Sequence, residues 1–316
     1  MSTHILPALR AEARGAAHPP GISCVCGATT LADRPDATVV RHGDTVAKAH
    51  APGTERAELD LRLAVAAHPD LGGVLLRPLR PTAAALDDRL VTFWPHGTPV
   101  DPDHPELAPW EEAATLLARL HTTPAHQLPP ALPPMRGPAK AARAVARLHA
   151  SAPAHPAARP IEAAWRALPP WARAEAPYAH ASALCHGDLH LGQLVRHPAD
   201  SGAWTLIDVD DLGIGDPAWD LARPAAWFAC GLLAPEDWAR FLTAYQRTGG
   251  AKELTLPDPW PALDVPARAL TVQTAALAVA KATDAGRALD EVEEAVVDAC
   301  ARMASVPPRL ENELAK

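Results

Sequence analysis

The chain lacks any window close to the roughly 18 uninterrupted apolar residues of a membrane-spanning helix. That excludes a helical membrane protein. Near the N-terminus, His4-Ile5-Leu6-Pro7-Ala8-Leu9-Arg10 is too short and too broken for the apolar region of a secretory signal. Both absences lead to the expectation of a cytoplasmic protein with no membrane partner. Cysteine is scarce and odd in number, with residues at 24, 26, 185, 230 and 300. Cys24-Val25-Cys26 is not a Cys-x-x-Cys pair, and no second pair follows at zinc-finger spacing. The thiols are therefore read as reduced and buried or half-buried. No Gly-x-x-x-x-Gly-Lys-Ser/Thr stretch occurs, which argues against the P-loop enzymes, and no internal repeat is present.

What is there is enough for a large core. At 316 residues, 48% hydrophobic and 21% charged, the composition is that of a globular protein with one large domain or two lobes. The formal charge of −8 is uneven, since residues 1–97 hold ten basic and ten acidic residues and all the excess acid lies beyond them. A negative field argues against nucleic-acid binding and would attract a cationic substrate, with Glu236-Asp237 and the acidic run from Asp284 to Asp298 as its docking candidates.

Residues 1–22 read as a short helix or a loose leader. Two β-rich runs flank His42-Gly43-Asp44, a hairpin signal. Glu55 to Ala67 has helical spacing, and Val74-Leu75-Leu76 and Leu90-Val91-Thr92-Phe93-Trp94 read as strands. Trp94-Pro95-His96-Gly97 breaks the last strand and reads as a hinge. Beyond it the expected helices are Pro109 to His121, 139–150, 161–175, and segments near 218–232, 235–248, 262–285 and 288–304.

The most informative stretch is His186-Gly187-Asp188-Leu189-His190-Leu191-Gly192-Gln193, followed twenty positions after Asp188 by Leu206-Ile207-Asp208-Val209-Asp210-Asp211. A carboxylate, a side-chain amide and a second carboxylate follow short apolar runs. Phosphoryl transfer needs such groups: one to accept the substrate hydroxyl's proton, oxygen ligands for a metal, and a cation on the nucleotide.

The pattern resembles the catalytic and metal loops of the aminoglycoside phosphotransferase family, small-molecule kinases of the protein-kinase-like superfamily. The resemblance covers roughly residues 36–300. It implies a two-lobed α+β fold, with a β-rich N-lobe over residues 1–93, a hinge at 94–97 and a helical C-lobe over 98–316. It implies ATP as co-substrate and Mg²⁺ as cofactor. Asp188 would accept or orient the acceptor's hydroxyl proton. Gln193, Asp208 and Asp210 would hold the metal, Gln193 standing where the family usually has Asn, and Asp211 reads as a surface charge. Lys48 resembles the strand lysine that contacts nucleotide phosphates and pairs with a helix glutamate, Glu58 before Glu55. Backbone groups of Phe93 to His96 would meet the purine edge, with Trp94 and His96 as contacts. His186 supports the loop, and His190 lies near the phosphates. Asp220 resembles the buried aspartate that holds the loop's backbone, and Asp216, before Pro217, reads as a helix cap. Between Cys26 and Val39 the only glycine is Gly27, so the phosphate-covering loop has no glycine signature.

The expected activity is ATP-dependent phosphorylation of a hydroxyl on a small polar acceptor, led by an antibiotic of the aminoglycoside, peptide or nucleoside type. A sugar or amino-sugar kinase is the alternative, because some sugar kinases of the superfamily also carry Gln in a His-Gly-Asp-Leu-His-Leu-Gly-Gln loop. Two readings from other classes stand behind these. One is a zinc hydrolase using His186, Asp188 and His190; the other is an inactive nucleotide-binding module. The oligomeric state is not set by the sequence.

Overall fold

A computed structural model describes residues 5–19, 21–129, 131–178 and 183–306. In chain order the elements to residue 121 are α1 (Ile5–Ala17), β1 (Ala28–Asp33), β2 (Thr38–His42), β3 (Thr45–Ala49), α2 (Arg56–Ala66), β4 (Ala84–Leu86), β5 (Arg89–Pro95), β6 (Thr98–Pro99) and α3 (Trp110–His121). There follow α4 (Gly137–Ser151), α5 (Ala158–Ala167), β7 (Ala183–Cys185), β8 (Leu194–His197), β9 (Ala203–Leu206), β10 (Gly213–Gly215), α6 (Pro217–Ala229), α7 (Pro235–Thr248), α8 (Trp260–Asp284) and α9 (Glu291–Met303). They fall into two units. One comprises residues 1–108, 126–133 and 191–210, the other 109–125, 134–190 and 211–316.

In the first unit an antiparallel sheet runs β1-β2-β3-β5-β4. Thr38, Val40 and His42 of β2 and Thr45, Ala47 and Ala49 of β3 are buried alternately, as period-two patterning requires. Gly43, at φ 57°, takes the first of the two hairpin-loop positions, where a side chain would be strained. On this sheet α1 lays Ile5, Leu9 and Ala13, one turn apart, against Val40, Ala47, Val91 and Phe93. The N-terminal stretch is thus a packed helix. A second sheet, β6-β8-β9, belongs to the same unit. This is why the unit takes in residues 191–210 and does not end at residue 93.

The second unit is helical. Its core packs Leu148 of α4, Ile161 of α5, Val272, Ala276 and Val279 of α8, and Val296 of α9. A short buried pair, β7 with β10, is its only sheet among the described residues. Helices expected at 139–150, 218–232, 235–248, 262–285 and 288–304 all form, with ends shifted by a few residues. The segment 161–175 differs. α5 stops at Ala167, because Leu168-Pro169-Pro170 denies the helix both conformation and donors. Val74-Leu75-Leu76 also differs. Held between Gly72-Gly73 and Pro78, it forms only a bridge, with Leu206 N donating to Val74 O and Leu76 N to Leu206 O, both at 2.8 Å.

Two glycines test this packing with opposite signs. Gly15 in α1 has open space where a Cβ would go, whereas a Cβ on Gly137, at the start of α4, would collide with the Trp219 indole. Gly15→Ala is expected to raise stability by up to about 1 kcal/mol from helix propensity. Gly137→Ala, favoured by the same propensity, is expected to lower it. Thermal denaturation of the two variants checks both signs.

Candidate active site

In the second unit β7 and β10 pair in the register Cys185↔Gly213, Leu184↔Ile214, Ala183↔Gly215. β7 leads directly into His186-Gly187-Asp188, and β10 into Asp216, which caps α6 by accepting from Ala218 N at 2.9 Å. One turn into α6, Asp220 is buried. Its Oδ2 accepts from His186 N at 2.6 Å and its Oδ1 from Gly187 N at 2.7 Å. His121 Nε2 lies 3.0 Å from Oδ2, and His121 Nδ1 lies 2.7 Å from the Tyr245 hydroxyl. Gly187 adopts φ 84°, and a Cβ on it would run into the Asp211 carbonyl. Only glycine fits both conditions.

The loop so held presents Asp188 to two cations. Arg223 Nη2 donates to Oδ1 at 2.9 Å, and Lys140 Nζ reaches Oδ2 at 2.6 Å. Arg223 also donates to Leu189 O at 3.0 Å, and Lys140 to Asp211 Oδ2 at 2.7 Å. Burial works against the charged form of Asp188, but Lys140 and Arg223 outweigh it and hold the carboxyl below its ordinary range. Each such pair is worth about 4 kcal/mol at 4 Å and an effective dielectric of 20, so two cations overcome one partly buried carboxylate's desolvation. Burial also pushes His190 down to about 4, with Arg223 and Lys140 adding to the effect. It is neutral at pH 7.

The first unit holds Gln193, Asp208 and Asp210 of the motif, together with Lys48. Lys48 Nζ lies 2.7 Å from Asp208 Oδ1 and 2.9 Å from Asp210 Oδ2. His50 Nδ1 lies 3.0 Å from Asp210 Oδ1 and Nε2 2.9 Å from Thr92 Oγ1. Asp208 adopts φ 66° and accepts from Asp210 N at 3.3 Å, a turn of the aspartate type. Burial opposes charge on Asp210, yet Lys48 and His50 keep its carboxyl well below the usual range. Burial likewise opposes the Lys48 ammonium, and the two aspartates more than restore it. Gln193 is buried, and its main-chain carbonyl accepts from Ile207 N at 2.9 Å, linking the 193 and 208 segments. Two carboxylates and an amide oxygen are a donor set that suits Mg²⁺.

Several sequence expectations meet a different arrangement. Lys48 engages the two aspartates, while Glu58 pairs with Arg62, four residues on, at 3.1 Å; Glu55 caps α2 without a side-chain bond. Trp94 is buried, with its indole N–H on Thr92 Oγ1 at 2.8 Å. In the 93–97 segment Phe93 O accepts from Leu79 N at 2.8 Å, His96 N donates to Asp44 O at 2.7 Å, and His197 Nδ1 lies 3.1 Å from His96 O. These groups, assigned to a purine edge, already have partners. Gly97 is required because a Cβ there would sit 2.6 Å from Val195 Cγ2. Asp211, read as a surface charge, is largely buried against Lys140. His186, Asp188 and His190 do not converge as a metal site among the described residues, which removes the basis of the zinc-hydrolase reading. Of the acidic docking candidates, three have basic partners: Asp237 with Arg240 at 3.1 Å, Asp284 with Arg147 at 2.8 Å and Glu293 with Arg287 at 2.6 Å.

Sequence reading missed Lys140, Arg223 and His50. Lys140 carried one signal: a cation in the first turn of a helix stands against the helix dipole and needs a carboxylate nearby. The turn that joins β1 to β2 also escaped notice. It is Arg34-Pro35-Asp36-Ala37, closed by Arg34 N to Ala37 O at 2.9 Å, without glycine.

The fold is shared with solved kinases. A choline/ethanolamine kinase family protein from Mesorhizobium loti superposes with a TM-score of 0.56 at 17% identity, over 95% of this chain and 93% of that one. The macrolide 2'-phosphotransferase MphH from Brachybacterium faecium gives 0.53 at 21% identity, over 95% and 99%. A thermostable mutant of aminoglycoside phosphotransferase APH(4)-Ia, in complex with AMP-PNP and hygromycin B, gives 0.60 at 12% identity, over 94% and 99%. No protein of curated function matches the chain by sequence. The model of the phosphotransferase enzyme family matches residues 30–264. Spanning both the Lys48 strand and the two loops, that match makes this chain a member of the phosphotransferase enzyme family, a small-molecule kinase of protein-kinase-like α+β fold.

Proposed function

We propose that the protein transfers the γ-phosphoryl group of ATP to a hydroxyl of an antibiotic, of the aminoglycoside, peptide or nucleoside type, as a resistance or self-protection enzyme. The observation that carries phosphoryl transfer is Asp188, kept ionised by Lys140 and Arg223 on a loop whose backbone is bonded to Asp220. An ionised carboxylate engaged on one side of each oxygen keeps lone pairs for an acceptor O–H. With its basicity depressed it is a weak base. Its work is to orient the hydroxyl and receive the proton late, as a loose phosphoryl-transfer transition state requires. Lys48 would meet the nucleotide's phosphates, and Asp208, Asp210 and Gln193 would hold Mg²⁺. When bound, that ion supplies charge neutralisation at the phosphates. The antibiotic reading is supported by family membership and by likeness in fold to macrolide and aminoglycoside phosphotransferases. The sugar or amino-sugar kinase remains as a second reading, favoured by Gln193 alone. ATP turnover against a panel of antibiotics, sugars, amino sugars and choline decides between them, and a panel confined to sugars among its substrates would reverse the order.

Asp188→Asn or Asp188→Ala is expected to lower kcat by roughly 10² to 10⁴-fold with nucleotide affinity nearly unchanged. A variant retaining a tenth of wild-type kcat would remove Asp188 from this role. At the metal residues, Asp208→Ala is expected to abolish Mg²⁺-dependent turnover. Gln193→Asn should keep activity within roughly tenfold, with an altered Mg²⁺ or Mn²⁺ requirement, whereas Gln193→Leu should be nearly inactive. Metal titrations of kcat for the three variants check this, and full activity of the Leu variant would show that position 193 does not ligate.

A further inference from the structure

Four metal-ligating side chains away from these residues converge in the first unit. His18 follows the C-terminus of α1, Cys24 and Cys26 lie on the extended segment entering β1, and His42 ends β2. One ligand atom from each lies within 4.8 Å of the other three. We propose that His18, Cys24, Cys26 and His42 form a structural zinc site that fastens the end of α1 to the β2–β3 hairpin.

The local geometry favours this. Val25, between the two cysteines, is fully exposed, so the alternation of an extended chain sends both sulfurs to the opposite side. Cys24 Sγ and His42 Nε2 are 3.2 Å apart. Bond lengths of about 2.3 Å to sulfur and 2.0–2.1 Å to nitrogen put tetrahedral ligand atoms roughly 3.3–3.8 Å apart. The set is therefore close to coordinating distance before any side chain moves. The His18 and His42 rings meet edge to face, 5.3 Å between centroids, and do not stack. His18 Nε2 is buried without a hydrogen-bond partner. Such an atom costs about 1–3 kcal/mol unless something satisfies it, and a metal ion would.

The donor set selects the ion. Two thiolates and two imidazoles in a tetrahedron suit zinc and disfavour hard cations. The thiolates would balance the ion's charge, so a half-buried site carries no net charge. His18, Cys26 and His42 also line an open groove of about 780 Å³, which gives an ion a way in. The ligand spacing follows no zinc-finger pattern because a helix end and a hairpin, and not one loop, bring the four together.

Elemental analysis of the purified chain after dialysis against metal-free buffer is expected to find about one zinc per chain, and Cys24→Ser/Cys26→Ser to find none. Zinc absent from the wild type, iron or copper in its place, or equal zinc in the doubly substituted chain overturns the site. Cobalt substitution of the wild type reads the same ligands whether or not the variant folds. Tetrahedral d–d bands with thiolate-to-cobalt charge transfer are expected, and their absence overturns the proposal. Thiol titration of the denatured, metal-stripped wild type is expected to count all five cysteines. A count short by two would mean a Cys24–Cys26 disulfide and no zinc site.

Discussion

The catalytic-loop segment of the second unit depends on where one carboxylate is buried. Asp220 has no contact with water, so its charge is tolerable only because two loop amides and a histidine surround it. Those bonds fix the backbone at His186 and Gly187, and the left-handed turn at Gly187 then aims Asp188. The same carboxylate ties α6 to α3 through His121, and through Tyr245 to α7. Removing it would strand two amides and an imidazole in the core, each at about 1–3 kcal/mol. Loop geometry and helix packing are one problem solved by one side chain.

The first unit solves a different electrostatic problem. Asp208 and Asp210 are negative residues two apart, and the Lys48 ammonium bridges them. Asp208 adopts a left-handed backbone, which for a residue with a Cβ costs on the order of 1 kcal/mol and is eased by its own side-chain bond to Asp210 N. In the proposed reaction phosphates and a metal would take over what lysine and carboxylates now do for each other. One ammonium against two carboxylates leaves carboxylate charge in the cluster that a metal ion would meet.

What could be read from the sequence was what local rules govern. Helices α3 to α9 were legible from their periodicity and from prolines at their starts, with α5 ending early only at a Pro-Pro step. Edge strands β1 and β4 were not, because one exposed side and one edge leave little alternation to see. The motif from His186 to Asp211 was legible because it is contiguous. Lys140 and Arg223 lie 48 residues before and 35 after Asp188, in helices whose own patterns explain them, so only the folded chain shows that they serve one carboxylate. Lys48 was singled out on its strand, but its pairing with the aspartates was not: a glutamate at helical distance is visible in sequence, whereas an aspartate 160 residues away is visible only as a tertiary contact.

The chain passes between the two units inside the motif itself, after His190 and again after Asp210. The residue proposed to receive the proton is therefore encoded with one unit, and those proposed to hold the metal with the other. For inheritance this means that neither unit is a transferable module. A recombination breakpoint placed at a unit boundary here cuts through the His186 to Asp211 motif, so exchange of a whole unit would split it.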